Sequence, residues 1–226
     1  MVRFERNTSE KVEQAITTLT RAKRVNASYN TCEVLYALKE VFHGKCYICE
    51  TRGIEAIEIE HLHPHKGNAE LKYSWNNLYL SCRHCNNIKS DRYEPILDCC
   101  TQDVDKLIAF RKVGYFGVEE RFTFTPATEF KPIEVDNTCK LLHDVYYGTT
   151  PQKQMEARTL RKRVHKEISN FKYHVRSYEE EDEGDLKEDE RLWIIKELKN
   201  TSSFTAFKRW LIRDNIERYS EFREYV

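Results

Sequence analysis

The chain has 226 residues, enough to bury a substantial core as one large domain or as a small domain carrying an extension. Its 37 Lys and Arg are matched by 37 Asp and Glu, so global charge makes no case for a nucleic-acid partner and any electrostatic argument has to be local. No apolar run approaches the roughly 18 residues of a membrane span, and Met1-Val2-Arg3-Phe4-Glu5-Arg6 lacks the apolar stretch of a signal peptide, so a soluble, cytoplasmic protein with no membrane association is expected.

From the start of the chain, Val12, Ala15, Ile16, Leu19 and Ala22 recur at helical spacing and predict a helix over 9–24, with Asn7 or Ser9 as its cap. A second helix from Thr31 places Val34, Leu35, Leu38, Val41 and Phe42 on one face, and Gly44 supplies the left-handed residue that ends it. These helices form a first segment, 1–44. The chain then meets Cys46-x-x-Cys49, and later Cys82-x-x-Cys85, with the 32 residues 50–81 between them. Four thiols at this spacing suit one tetrahedral Zn2+, while the long separation requires an inserted element. The remaining cysteines, Cys32, Cys99, Cys100 and Cys139, have no ligand spacing and read as buried thiols or ordinary surface residues.

Ala56-Ile57-Glu58-Ile59-Glu60-His61 alternates with period two and predicts a half-buried strand closed by Pro64. Gly67-Asn68 marks a turn or loop, Leu78-Tyr79-Leu80 is a short apolar run suited to a second strand, and Arg83 to Asp91 predicts a short helix. His84 sits between the second pair of cysteines; because four thiolates already complete a tetrahedral site, it reads as a surface or nucleic-acid-facing residue.

Beyond Arg92, strands are expected at Leu107–Lys112 and Arg121–Thr125, around Gly114 and Gly117. Helices follow over Asn137–Tyr147 up to Gly148, from Pro151 onward, and over Asp185–Leu198. A last helix is expected to be capped by Ser202 or Ser203, with Phe204, Phe207 and Leu211 on one face and Trp210 beside it. Residues 152–176 hold eight Lys and Arg against Glu156 and Glu167, which reads as the charged face of a solvated helix or as a track for a phosphate backbone. Residues 179–190 hold nine acids against Lys187 and read as a solvated linker. The fold class expected is α+β, with segments 1–44, 45–92 and 93–226, the last mostly helical and suited to binding a partner.

The middle segment carries the chemistry. Cys-x-x-Cys, then Glu60-His61-Leu62-His63-Pro64, then Asn77-Leu78, then Cys82-x-x-Cys85 followed by Asn86 and Lys89, resembles the HNH endonucleases. Their zinc-bearing ββα-metal motif reads Asp-His-x-x-Pro, Asn-Leu and Cys-x-x-Cys-His-x-x-Lys. The resemblance implies His61 as general base, Asn77 holding the loop that orients it, Glu60 and Asn86 as ligands of a catalytic Mg2+ or Mn2+, and Lys89 approaching a phosphate. Cys46, Cys49, Cys82 and Cys85 would hold the structural Zn2+, and His63 and His65 would help position substrate. Glu60 stands in place of the usual Asp and Asn86 in place of His, both keeping hard oxygen donors. In a regular strand Glu60 and His61 point to opposite faces, so their convergence requires the strand to end or bulge there.

The whole layout, a nuclease core followed by helices with Leu141-Leu142-His143-Asp144 and Ser203-Phe204-Thr205-Ala206-Phe207, resembles the PtuB-like HNH subunits of Septu and related retron anti-phage systems. That implies nucleic acid as substrate, DNA before RNA or tRNA, and a PtuA-like ATPase as partner, with the acidic run as an interface or regulatory segment. The alternative from another class is a zinc-stabilised scaffold that binds nucleic acid or protein without cutting.

Overall fold

A computed structural model describes the chain apart from residues 55, 116–117 and 130–131; the expected Gly117 turn lies outside the described residues. Helix α1 spans Glu10–Arg24, capped by the Ser9 hydroxyl accepting from Val12 N, and α2 spans Cys32–Val41, capped in the same way by Thr31. His43 and Gly44 both take positive φ and turn the chain into the first knuckle. Strand β1 covers Ile57–His61 and pairs antiparallel with β2, Leu78–Cys82, in a register that sets Glu60 opposite Tyr79 and His61 opposite Leu78. Between them Asn68 caps a one-turn helix α3, Ala69–Lys72, where a turn or loop is expected, and a 3-10 turn at Trp75–Asn77 leads into β2. Helix α4, Arg83–Lys89, follows at once, completing a ββα unit.

A short helix α5, Val104–Leu107, precedes a hairpin of β3, Ile108–Tyr115, and β4, Val118–Pro126, longer than the expected strands but in the expected places. Then come α6, Ile133–Tyr147, α7, Pro151–Glu180, α8, Asp185–Leu198, α9, Thr205–Arg213, and a 3-10 turn at Ser220–Tyr225. The α6 to α7 joint needs glycine: Gly148 has φ +79°, and a Cβ there would lie 2.3 Å from the backbone N of Gln154. Thr150 caps α7, and Pro151 occupies the first turn, where its missing N–H costs nothing.

Two expectations fail in this region. The acidic run is no linker: Glu179 and Glu180 finish α7, Asp185 opens α8, and only 181–184 join them. Nor does Ser202 or Ser203 cap α9, which starts from Phe204 in the left-handed conformation. The Ser202 hydroxyl is bonded instead to Glu197 and Lys208.

One apolar core draws on every segment, from Phe4 and Phe42 through Tyr47, Tyr79 and Leu80 to Phe110, Phe124, Tyr146 and Phe207. A smaller cluster of Phe171, Val175, Ile194, Leu198, Ile212 and Phe222 holds the far end of α7 to α8 and the C-terminal turns. Buried polar contacts fasten the middle segment to the helices, with Lys45 Nζ donating to Asn200 O at 2.8 Å and facing Glu50 Oε2 at 3.4 Å. Asp105, fully buried, pairs with Arg213 at 2.8 Å and Arg209 at 3.3 Å. Among the described residues, no helix is long and apolar enough to cross a membrane.

Candidate active site

The four knuckle cysteines converge, their sulfurs all within 4.8 Å of one another. A tetrahedral zinc with bonds of about 2.3 Å separates its sulfurs by about 3.8 Å, and Cys49 and Cys82 Sγ stand 3.9 Å apart. The donor set and spacing therefore fit zinc. Local backbone explains the convergence: Cys46 N donates to Thr51 O, Tyr47 N donates to Leu80 O and so ties the first knuckle to β2, and Cys82 is the N-cap of α4. The other cysteines spread over the molecule, Cys99 buried, Cys100 and Cys139 half-buried, and Cys32 exposed.

Asn77 clamps the segment after β1. Its Oδ1 accepts from His63 N at 2.8 Å, while its Nδ2 donates to His63 O at 2.9 Å and Leu71 O at 3.0 Å. The backbone extends the pairing by Leu62 N donating to Asn77 O. His61 is thereby set with Nε2 3.0 Å from Lys72 O. A carbonyl only accepts, so Nε2 carries the proton and the lone pair resides on Nδ1. Burial pushes the His61 pKa below the ordinary imidazole value, against the pull of the Lys72 carbonyl, and the positive charges of Lys89 and Lys72 push it the same way as burial. At neutral pH the ring is an uncharged base.

Glu60 and His61 do not converge. Pairing runs unbroken through His61, so the alternation of the strand sends the two side chains into different surroundings. Glu60 is buried, its Oε1 2.7 Å from Lys89 Nζ and its Oε2 accepting from Tyr47 OH at 3.2 Å. Burial raises its pKa to about 7, with Lys89 and Tyr47 opposing that rise. Lys89, expected to approach a phosphate, is buried as well and also donates to His61 O at 2.9 Å. It pairs with Glu60 and steadies the backbone of His61; it faces no solvent.

Asn86 meets a different carboxylate. Its Nδ2 donates to Glu58 Oε2 at 2.7 Å, while Arg83 Nε donates to Glu58 Oε1 at 3.0 Å. Glu58 lies two residues before Glu60 on the same face of β1, so both carboxylates look toward α4. The alternation of Glu58-Ile59-Glu60 was the signal available for it in the sequence. A second residue that sequence reasoning misses is Tyr29, in the connection between α1 and α2. Its ring stands edge-on to His61 at 4.7 Å, and burial raises its pKa, the Lys72 ammonium opposing and the Glu58 and Glu60 charges adding. No local pattern marks it, because only the fold brings the connection over β1.

The remaining histidines sort by contact. His65 packs edge-on to His61 at 4.8 Å and accepts from Gly67 N, while His63 is half exposed and paired with Glu94. His84 corrects its reading as a nucleic-acid-facing residue. It is largely buried, with Nδ1 2.7 Å from Glu156 Oε2 on α7 and Nε2 2.8 Å from Val145 O on α6. It is a strut between the middle segment and the helices.

Comparison with known proteins agrees with this geometry. Residues 46–92 match the model of the HNH endonuclease family. A curated relative, Septu protein PtuB of Bacillus mycoides (strain KBAB4), is 37% identical over a stretch that covers 30% of this chain and spans 28% of that protein's length. With its paired knuckles, its ββα unit and a buried histidine at the end of β1, the segment 46–92 is an HNH endonuclease domain.

Proposed function

We propose that the chain is a metal-dependent endonuclease that hydrolyses phosphodiester bonds, with DNA as substrate and RNA or tRNA as the alternative. It would serve as the effector of an anti-phage defence system beside an ATPase partner. The observation that carries the reading is the state of His61, a neutral imidazole whose Nε2–H is committed to a carbonyl, leaving Nδ1 to take a proton from water. Asn77 supports it by fixing the loop on which His63 and Pro64 follow the base.

Glu58, Glu60 and the amide oxygen of Asn86 form a set of hard oxygen donors on facing sides of β1 and α4, which suits Mg2+ or Mn2+. When bound there, the cation would offset charge on the phosphate and on the departing 3′ oxygen. Glu60 is buried and held by Lys89 and Tyr47, whereas Glu58, though bonded by Asn86 and Arg83, keeps 27% of its side chain exposed and is the more available carboxylate. Tyr29 and His65 wall the base on its open side and keep its ring oriented.

The test is cleavage of plasmid DNA, single-stranded RNA and tRNA in Mg2+ and Mn2+, with and without the ATPase. His61→Ala should lower the rate by about 10²- to 10⁴-fold, the usual contribution of a general base. The acid limb of the wild-type pH–rate profile should lie below 6.5, the ordinary histidine value, since burial lowers the His61 pKa. Equal cutting by His61→Ala would remove it from the mechanism. No cutting by the wild-type chain under any of these conditions would favour the non-catalytic scaffold. A larger loss for Glu58→Gln than for Glu60→Gln would assign the metal to the former.

A further inference from the structure

Helix α7 buries Ala157, Leu160, Val164, Ile168, Phe171 and Val175, and its other faces are free to carry charge. On one of them Arg158, Lys162, His165, Ser169, Lys172 and Arg176 follow one another at alternating steps of four and three residues, all exposed. Those steps keep side chains on a single line of an α-helix. The line runs about 27 Å at 1.5 Å per residue. The one acid within this stretch of α7, Glu167, and Glu156 just before it fall on a different side of the helix, and Glu179 comes only beyond its end.

The cations of the line share one face and lack carboxylate partners on it. Among the described residues, Arg158, Lys162, Lys172 and Arg176 make no ion pair, and His165 comes only within 3.9 Å of Glu120. Buried cations elsewhere in the helical region are matched, Lys208 by Glu197 and Glu167, and Arg213 by Asp105. At its far end the line opens into a cavity of 340 Å³ where Lys172 and Arg176 meet Lys112 of β3 and Arg218. Two of these four cations have partners, Lys112 with Glu120 and Arg218 with Glu179 at 2.5 Å. Four cations facing two carboxylates leave the cavity positive, and a line of like charges leading into it raises the local concentration of a polyanion.

We propose that this stripe and the cavity at its end are a second nucleic-acid contact, a phosphate-backbone track outside the HNH domain. The inference rests on the nuclease reading for its choice of polyanion, since a chain that cuts phosphodiesters has such a substrate at hand. Backbone phosphates advance about 3.4 Å per nucleotide along one strand, so the line matches about eight nucleotides. Side chains of Arg and Lys with no base-reading partners beside them give affinity without sequence preference.

The experiment is fluorescence anisotropy with a labelled DNA duplex of about 30 base pairs and a labelled single-stranded RNA of like length. Binding is read across a salt series with His61→Ala as the background so that nothing is cut. Replacing Arg158, Lys162, Lys172 and Arg176 together by Gln should weaken binding at low salt at least about tenfold. It should also flatten the log–log salt dependence on the duplex by about 3 to 4, since each lost phosphate contact contributes about 0.9. Lys172→Arg with Arg176→Lys should restore binding, and Lys196→Gln with Lys199→Gln, exposed cations off the line, should leave it unchanged. Which probe loses more tells whether the track serves DNA or RNA.

Unchanged affinity and slope in the fourfold variant would overturn the track, and wild-type cleavage alongside would leave the nuclease reading standing. A fourfold variant that binds both probes normally but loses an acidic protein partner would assign the line to protein and overturn the proposal as well. Stripe-dependent binding by a wild-type chain that cuts nothing would support the track while defeating the nuclease reading.

Discussion

Between Cys46 and Lys89 the chain forms two strands of five residues and an α4 of seven, whereas from Ile133 to Arg213 it forms helices of 15, 30, 14 and 9 residues. Helices α6 and α7 bury continuous apolar stripes and hold themselves by area removed from water. The short elements cannot, and their order comes from the four-sulfur site, the Asn77 clamp and a base of aromatic rings at Phe42, Tyr47 and Tyr79. Placing chemistry on small elements demands a stiff frame, and a metal supplies more stiffness per residue than a core does.

The sharpest way to break this contrast is to remove the metal. Cys85→Ser should abolish the one zinc per chain and unfold the ββα unit, given that structural zinc contributes about 10–16 kcal/mol of apparent binding energy in small fingers. Amide exchange should rise in β1, β2 and α4 while α7 and α8 stay protected; full zinc content with unchanged melting would refute the site. The converse variant, Asp105→Asn, leaves Arg209 and Arg213 facing a neutral buried group and should cost about 3–5 kcal/mol in denaturant unfolding. Its zinc content should not change, and loss of zinc there would mean that the two regions do not fail separately.

Smaller effects test the joints. Asn77→Ala removes a bond to each of three backbone groups and should cost about 1–3 kcal/mol, with a fall in cleavage greater than the fall in stability, since it frees the loop after His61. Equal losses would make Asn77 a purely structural residue. Thr150→Ala removes the α7 cap and should cost about 1 kcal/mol, read as a small drop in melting temperature with zinc and cleavage intact.

Periodicity and motif spacing carried most of the architecture. The caps Ser9 and Thr31, the start of α7 at Pro151 and both ends of α8 follow from local sequence, because a helix boundary is a local event. The convergence of the four knuckle cysteines was legible for the same reason. The partners of Glu60 and Lys89 were not, since nothing local says that a glutamate on β1 and a lysine on α4 are driven together by the cost of burying either alone. His84 was misread because its acceptors are 61 and 72 residues away. Phe204 capped α9 in place of serine because tertiary bonds to Glu197 and Lys208 outbid the local cap.

His84 stands on α4 between Arg83 and Cys85, two positions before Asn86. Its two ring nitrogens reach separate long helices, so α4 cannot roll about its own axis without giving up a bond to α6 or α7. The bearing of Cys85, and of Asn86 where it faces Glu58, is thereby tied through one side chain to the end of α6 and the start of α7.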